Sequence, residues 1–218
     1  MESFIQILII IHASFGGIAL AAGLIAMIAR KGLVLHRKSG LVFYYTMMIS
    51  AITAMVVGIL PKHESPFLFA IGVFSLYFVV AGKRALRFKK SNPNLTIDFW
   101  IARTMIVTGI LMIFLPVILS RNLNIVLVVF GGLGIVFAFR DIQLYKKPAQ
   151  LKAKYLKLHL GKTIGGYISA STAFVVVNQF FPSFYGWFIP GIIGGMIIIY
   201  WIKKVDKQKV NHSLLHKK

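Results

Sequence analysis

The chain holds six histidines and only five acidic residues, so the side chains able to bind a ligand, move a proton or pair a charge can be taken one by one. His12 stands alone: between Glu2 and Arg30 no other side chain is ionisable. If that run crosses a membrane, His12 lies roughly 12 Å inside it at about 1.5 Å per residue. An intramembrane ionisable group is a functional candidate by default. The plainer alternative is a structural imidazole bonded to a neighbouring helix.

His36, Asp98, Arg103, Asp141 and His159 form a second set. Each sits near the end of an apolar run, and the run boundaries place all five at about one level. Two imidazoles and two carboxylates suit a divalent metal. The two histidines alone suit axial ligation of a haem, with Arg103 near its propionates. Against both stands the cheapness of charge at a membrane interface; Asp98 with Arg103, and Asp141 beside Arg140, then serve as local ion pairs. His63 and Glu64 read as a solvated loop that also has the option of meeting His12. His212 and His216 belong to a basic tail. With no cysteine in the chain, disulfides, thiolate metal sites and a cysteine nucleophile are excluded.

These residues must be positioned by membrane-spanning helices. Of 218 residues, 58% are hydrophobic and only 14% charged, against about 25% charged in a soluble domain. A span needs about 20 apolar residues. Such runs occur at 2–30, 38–62, 66–83, 99–120 and 123–140, and the stretch from Thr163 to Ile202 has no Asp, Glu, Lys or Arg. That stretch is too long for one span, so it holds two, turning at 180–186 where Pro182 and Gly186 interrupt. Glu2 and the long apolar run make the N-terminus a poor secretory signal and a better retained first span.

The reading is an all-α membrane protein with seven transmembrane helices. A net charge of +20 raises the question of nucleic acid, but the basic residues lie at one set of run ends. Only Lys62 and Arg121 fall on the other side. The positive-inside rule then places the N-terminus outside and the C-terminus in the cytoplasm, in a plasma membrane whose anionic lipids the basic loops attract. The partners expected are therefore the lipid bilayer and anionic lipids at its cytoplasmic face, not nucleic acid.

An internal duplication is also visible. Phe15-Gly16-Gly17 matches Phe130-Gly131-Gly132, and His36 and His159 each precede a tyrosine by eight residues, Tyr44 and Tyr167. This predicts one integral membrane domain over 1–218 in a 3+1+3 arrangement: a three-helix repeat over 1–90, a linker span over 91–122, a second repeat over 123–204 and a basic tail over 205–218. Because both halves enter from the same side, the repeat is parallel. Gly16, Gly17, Ala21 and Gly23, and Gly161, Gly165, Gly166 and Ser169, read as small-residue packing faces.

The segment LHRKSGLVFYYTMM (35–48), with SPFLFAIGVFSLY (65–77) and LHLGKTIGGYISASTAF (158–174), resembles a bacterial family of multi-pass membrane proteins, domain of unknown function 2306. The sequence departs from that pattern at Leu41, where a basic residue is usual, and at Lys162 and Thr163, where the family is apolar. The resemblance implies a membrane protein with recurring histidines at His36 and His159, and no activity.

Two functional classes follow. One is a non-catalytic component or a transporter of small solutes or ions, with a polar path through His12, Thr46, Ser50, Thr53, Thr108, Ser169, Ser171, Thr172 and Asn178. The alternative is a membrane redox protein with histidine-ligated haem or metal. An enzyme acting on soluble substrates is not expected, since no large loop outside the membrane is available to hold a site.

Overall fold

The computed structural model describes residues 2–90, 92–182 and 185–215, with side chains through Lys207. The side chain of His212 and all of His216 lie outside them, as do Ser183 and Phe184 in the expected turn. Uninterrupted apolar runs become helices because hydrocarbon offers no partner to a backbone amide, and a helix satisfies its own. Seven result: α1 (Glu2–Ile28), α2 (Val34–Val57), α3 (Pro66–Ala85), α4 (Thr96–Ser120), α5 (Ile125–Tyr145), α6 (Pro148–Val177) and α7 (Tyr185–Leu215). A short 3-10 turn, Leu86–Lys89, extends α3. No strand occurs among the described residues. All seven helices are long and apolar enough to cross a membrane, as in a multi-pass membrane protein.

The sequence supplies the start signals. Ser65 Oγ accepts the Leu68 amide and Pro66 takes the first turn of α3; proline is favoured there because its missing N–H would have no helical partner. Asn124 caps α5 in the same way, accepting the Leu127 amide. Pro148 opens α6, so that helix begins well before Thr163. The basic stretch 140–162 forms the end of α5 and the first half of α6.

α3 is the most buried helix and α7 the least. α3 packs against α2, α4, α5 and α6, while the backbone of α7 lies along α6 alone. Glycine sets the closest approaches. An added Cβ on Gly109 would sit 2.7 Å from Gly131 O, and one on Gly131 would sit 2.7 Å from Gly109 O, so α4 and α5 cross backbone to backbone. Gly165 and Gly166 of α6 instead make room for α3 side chains, Phe78 and Val79, whereas Gly17 and Gly161 face open space.

The helix pairing is not the same in the two halves. α1 packs along the helix that follows it, α2, whereas α5 packs along the helix before it, α4, and only brushes α6. The second pair of each half does correspond, α2 lying along α3 as α6 lies along α7, so the two halves share one helix pairing and differ in the other.

The loops carrying Lys62 and Arg121 lie at the end of the bundle opposite the other basic segments. Reporter fusions at Lys62 and Arg121 are expected to read outside, and fusions at Lys90 and Lys207 inside. A shared location for Lys62 and Lys90 would break the seven-span topology.

Candidate functional site

The seam between α3 and α6 holds most of the buried polar chemistry. Ser75 and Ser169 meet at 2.6 Å between hydroxyls. Further along, Lys162 is buried at 8% exposure. Its Nζ donates to Asp141 Oδ2 at 2.5 Å and to the Tyr77 hydroxyl. Tyr77 in turn donates to the same carboxylate oxygen at 2.5 Å. One ammonium, one carboxylate and one phenol thus join α6, α5 and α3. The composition explains the closeness: a buried charge without a partner costs several kcal/mol, so a cation and an anion that enter the bundle must meet there.

The other aspartates follow the same pattern. Asp98 of α4, 1% exposed, is held by both arms of Arg84 from α3, Nε to Oδ1 and a terminal nitrogen to Oδ2, each at 2.7 Å. This two-point fork is the strongest geometry available to an arginine–carboxylate pair. Asp206 of α7 meets Lys157 of α6 at 2.6 Å. Every aspartate in the chain therefore ties two helices together.

At the basic end of the bundle a cavity of about 890 Å³ lies among α1, α2, α3, α6 and α7. Both copies of the histidine–tyrosine motif line it: His36 with Tyr44, and His159 with Tyr167. The two imidazoles are held alike. His36 Nδ1 lies 2.9 Å from Ala26 O, and His159 Nδ1 lies 2.8 Å from Gly82 O. A carbonyl only accepts, so Nδ1 carries a proton in each, and in the neutral imidazole Nε2 is the acceptor on the far edge of the ring.

The cavity is mainly apolar in its interior, with Phe43, Val79, Leu160 and Ile164 among its walls. Its cationic side chains are Arg30, Lys31, Arg37, Lys83 and Lys204, and among the described residues no carboxylate lines it. Lys31 Nζ sits over the Trp201 ring at 3.9 Å and Lys204 Nζ at 4.9 Å. Lys31 also closes the end of α1, donating to Ala26 O at 3.2 Å and to Met27 O. Burial first, and then the neighbouring Lys204, push the Lys31 pKa below the usual lysine value.

His12 has a different role. Its Nδ1 lies 2.9 Å from Ser50 O, and Ser50 Oγ donates back to His12 O at 3.1 Å. Gly16 makes room, since a Cβ there would sit 3.1 Å from Ser50 Oγ. The ring faces α2, and the reciprocal bonds make it a clasp between α1 and α2. His63 pairs with Glu2 at 3.5 Å rather than with His12.

Of the five residues expected at one level, none is bonded to another of the five. His36 and His159 share the cavity. Asp98 pairs with Arg84 instead of Arg103, which is exposed beside the Phe99 and Trp100 rings. Asp141 pairs with Lys162 instead of the exposed Arg140. Among the described residues no group of three or more histidines and carboxylates is placed to hold a metal ion, because both aspartates are engaged by cations elsewhere. Several polar side chains of the expected path are likewise occupied: Thr46 donates to Val42 O at 2.7 Å, Thr53 to Ile49 O at 2.8 Å, and the Asn178 amide, through Nδ2, to Phe174 O at 2.8 Å.

Motif and spacing do not single out Tyr77, Arg84 or Lys162 as site residues. The one signal for Lys162 is its setting, a lone charge among Leu160, Gly161, Ile164 and two further glycines. No protein-family model, curated protein or solved structure matches the chain.

The ion pair predicts a non-additive response. Lys162→Met alone is expected to cost about 3–5 kcal/mol, because it strands a carboxylate, while Lys162→Met with Asp141→Leu costs markedly less. Thermal unfolding of the detergent-solubilised variants measures this. A double variant as unstable as the sum of the singles would show that the pair is not coupled.

Proposed function

We propose that the protein is a non-catalytic, carrier-type membrane component that binds an anionic amphiphile in the basic-end cavity. The observation that carries this reading is the cavity's lining: apolar walls with five cationic side chains and no carboxylate among the described residues. Such a space matches a ligand with a hydrocarbon body and a negatively charged head. Lys31 and Lys204 repel one another across Trp201, and a bound anion relieves that repulsion. The Nε2 acceptors of His36 and His159 offer the ligand's hydroxyls a partner. With the bundle's basic end placed in the cytoplasm, the ligand comes from the cytoplasmic leaflet.

Native mass spectrometry after reconstitution with phosphatidylglycerol and phosphatidylcholine tests this. The wild type is expected to retain phosphatidylglycerol selectively. Each of Lys31→Gln, Arg37→Gln and Lys204→Gln is expected to weaken retention about fivefold, the effect of removing about 1 kcal/mol of attraction per charge. Equal retention of the two lipids by the wild type would overturn the reading.

A second reading is favoured by the shared setting of His36 and His159. Histidines whose Nδ1–H is fixed by a carbonyl present an oriented Nε2, the arrangement used by metal-ligating imidazoles. The residues fit a haem in donor chemistry: His36 and His159 would supply imidazole nitrogens to the iron, and Arg30, Arg37 or Lys204 would pair with the propionates. A haem would supply one-electron chemistry. Visible absorption of the purified protein decides between the readings. A Soret band lost in both His36→Leu and His159→Leu would establish the haem, and a spectrum without one after incubation with haem would remove it.

A further inference from the structure

A second basic space lies beside the cavity. A groove of about 760 Å³ runs along the end of α3, the 3-10 turn and the start of α4, with Tyr44 from the middle of α2 at its inner side. Its charged side chains are Lys83, Arg84, Arg87, Lys89 and Lys90, again with no carboxylate among the described residues. Arg84 is spent on Asp98, so the other four carry uncompensated charge.

These cations are not a loose tail. Phe88, between Arg87 and Lys89, is buried to 2% exposure, and its ring packs against Tyr145 at 5.7 Å. That anchor holds the short turn in place. The apolar side chains Leu86 and Ile97, 40% and 54% exposed, border the same groove. Uncompensated positive charge and exposed apolar side chains thus adjoin.

The groove and the cavity share a wall. Tyr44, Lys83 and Leu86 line both, and Lys83 Nζ stands 5.9 Å from the Tyr44 ring centre. We infer that the groove docks the headgroup of an anionic phospholipid from the surrounding leaflet, and that Tyr44, Lys83 and Leu86 form the gate by which that lipid reaches the cavity. The inference rests on the amphiphile reading above and adds the ligand's source and route. A cationic groove raises the local concentration of an anionic headgroup at the wall. Lys83, facing both spaces, hands the headgroup from one to the other. A lipid taken sideways never has to bring its acyl chains through water, which a soluble anion has no need to avoid.

The test is exchange of cavity lipid with the bilayer. Full-length protein in nanodiscs is mixed with vesicles of isotopically labelled phosphatidylglycerol, and label in the retained lipid is followed by native mass spectrometry. Arg87→Gln/Lys89→Gln/Lys90→Gln alters the groove alone and is expected to slow exchange about tenfold without changing the final amount retained, as charge that steers encounter changes rates. Tyr44→Ala is expected to speed exchange. Wild-type exchange in the groove variant would overturn the lateral route. So would equal slowing of exchange by inorganic phosphate at constant ionic strength, which assigns the groove to a soluble anion. Lys31→Gln/Arg37→Gln/Lys204→Gln alters the cavity alone: if it retains lipid as the wild type does, the cavity reading fails whatever the groove does. If the wild type retains no phosphatidylglycerol, both fail together.

Discussion

The arrangement of helices depends on one constraint: a charge inside an apolar bundle must be met by its opposite. Lys162 satisfies it by reaching Asp141 across the α5–α6 gap and Tyr77 on α3. The same requirement fixes α4 on α3 through Arg84 and Asp98. Apolar contact alone is poorly directional, since lipid tails are as apolar as leucine. The ion pairs supply the register: each sets the rotation and depth of one helix against another, and rotating either helix by one residue position would unpair both charges.

The cavity follows from that register. With α3 and α6 joined at Ser75–Ser169, at Tyr77–Lys162 and at Gly82–His159, the His159 ring is turned to the side of α6 that faces α1 and α2. Gly23 keeps α1 close, since a Cβ there would lie 2.5 Å from the Tyr167 ring and 3.0 Å from Phe43. The polar seam along α6 thereby orients the adjoining basic-end chamber, with His159 belonging to both. Lys162 and Thr163 are adjacent in sequence, and one faces the ion pair while the other lines the chamber.

The helices are legible in the sequence because each is a long apolar run bounded by charge or proline. His36 and His159 are legible as a pair, and the tyrosine eight residues after each proves to line the same space. The ion-pair partners are not legible. Arg103 is close to Asp98 in sequence, but five residues turn about 140° round a helix, so the two sit on different faces. Arg84 reaches Asp98 because α3 and α4 are joined by a short connection and lie side by side. Lys162 looks like one more basic residue of the cytoplasmic side, because hydropathy records composition and not rotation. The start of α6 is hidden for a related reason: the basic residues of its first half make it look like a loop, while Pro148 as a helix opener is the better signal. His12 is equally compatible with function and structure in the sequence, and its reciprocal bonds to Ser50 favour structure.

One architectural asymmetry has mechanical meaning. The backbone of α7 rests along α6 alone. At the basic end it is tied by Lys157–Asp206 and touches Lys31 through Trp201; at the other end Trp187 meets the Phe67 ring of α3 edge-on at 4.5 Å. A helix supported along a single edge and held at each end by one or two side-chain contacts is a lightly fixed panel, and its Trp201, Lys204 and Val205 form part of the chamber's wall. Swinging its basic end outward would draw the Trp201 indole away from Lys31 and leave the α3–α6 core untouched. The buried, ion-paired core on α3 and the lightly supported wall formed by α7 thus both lean on one helix, α6.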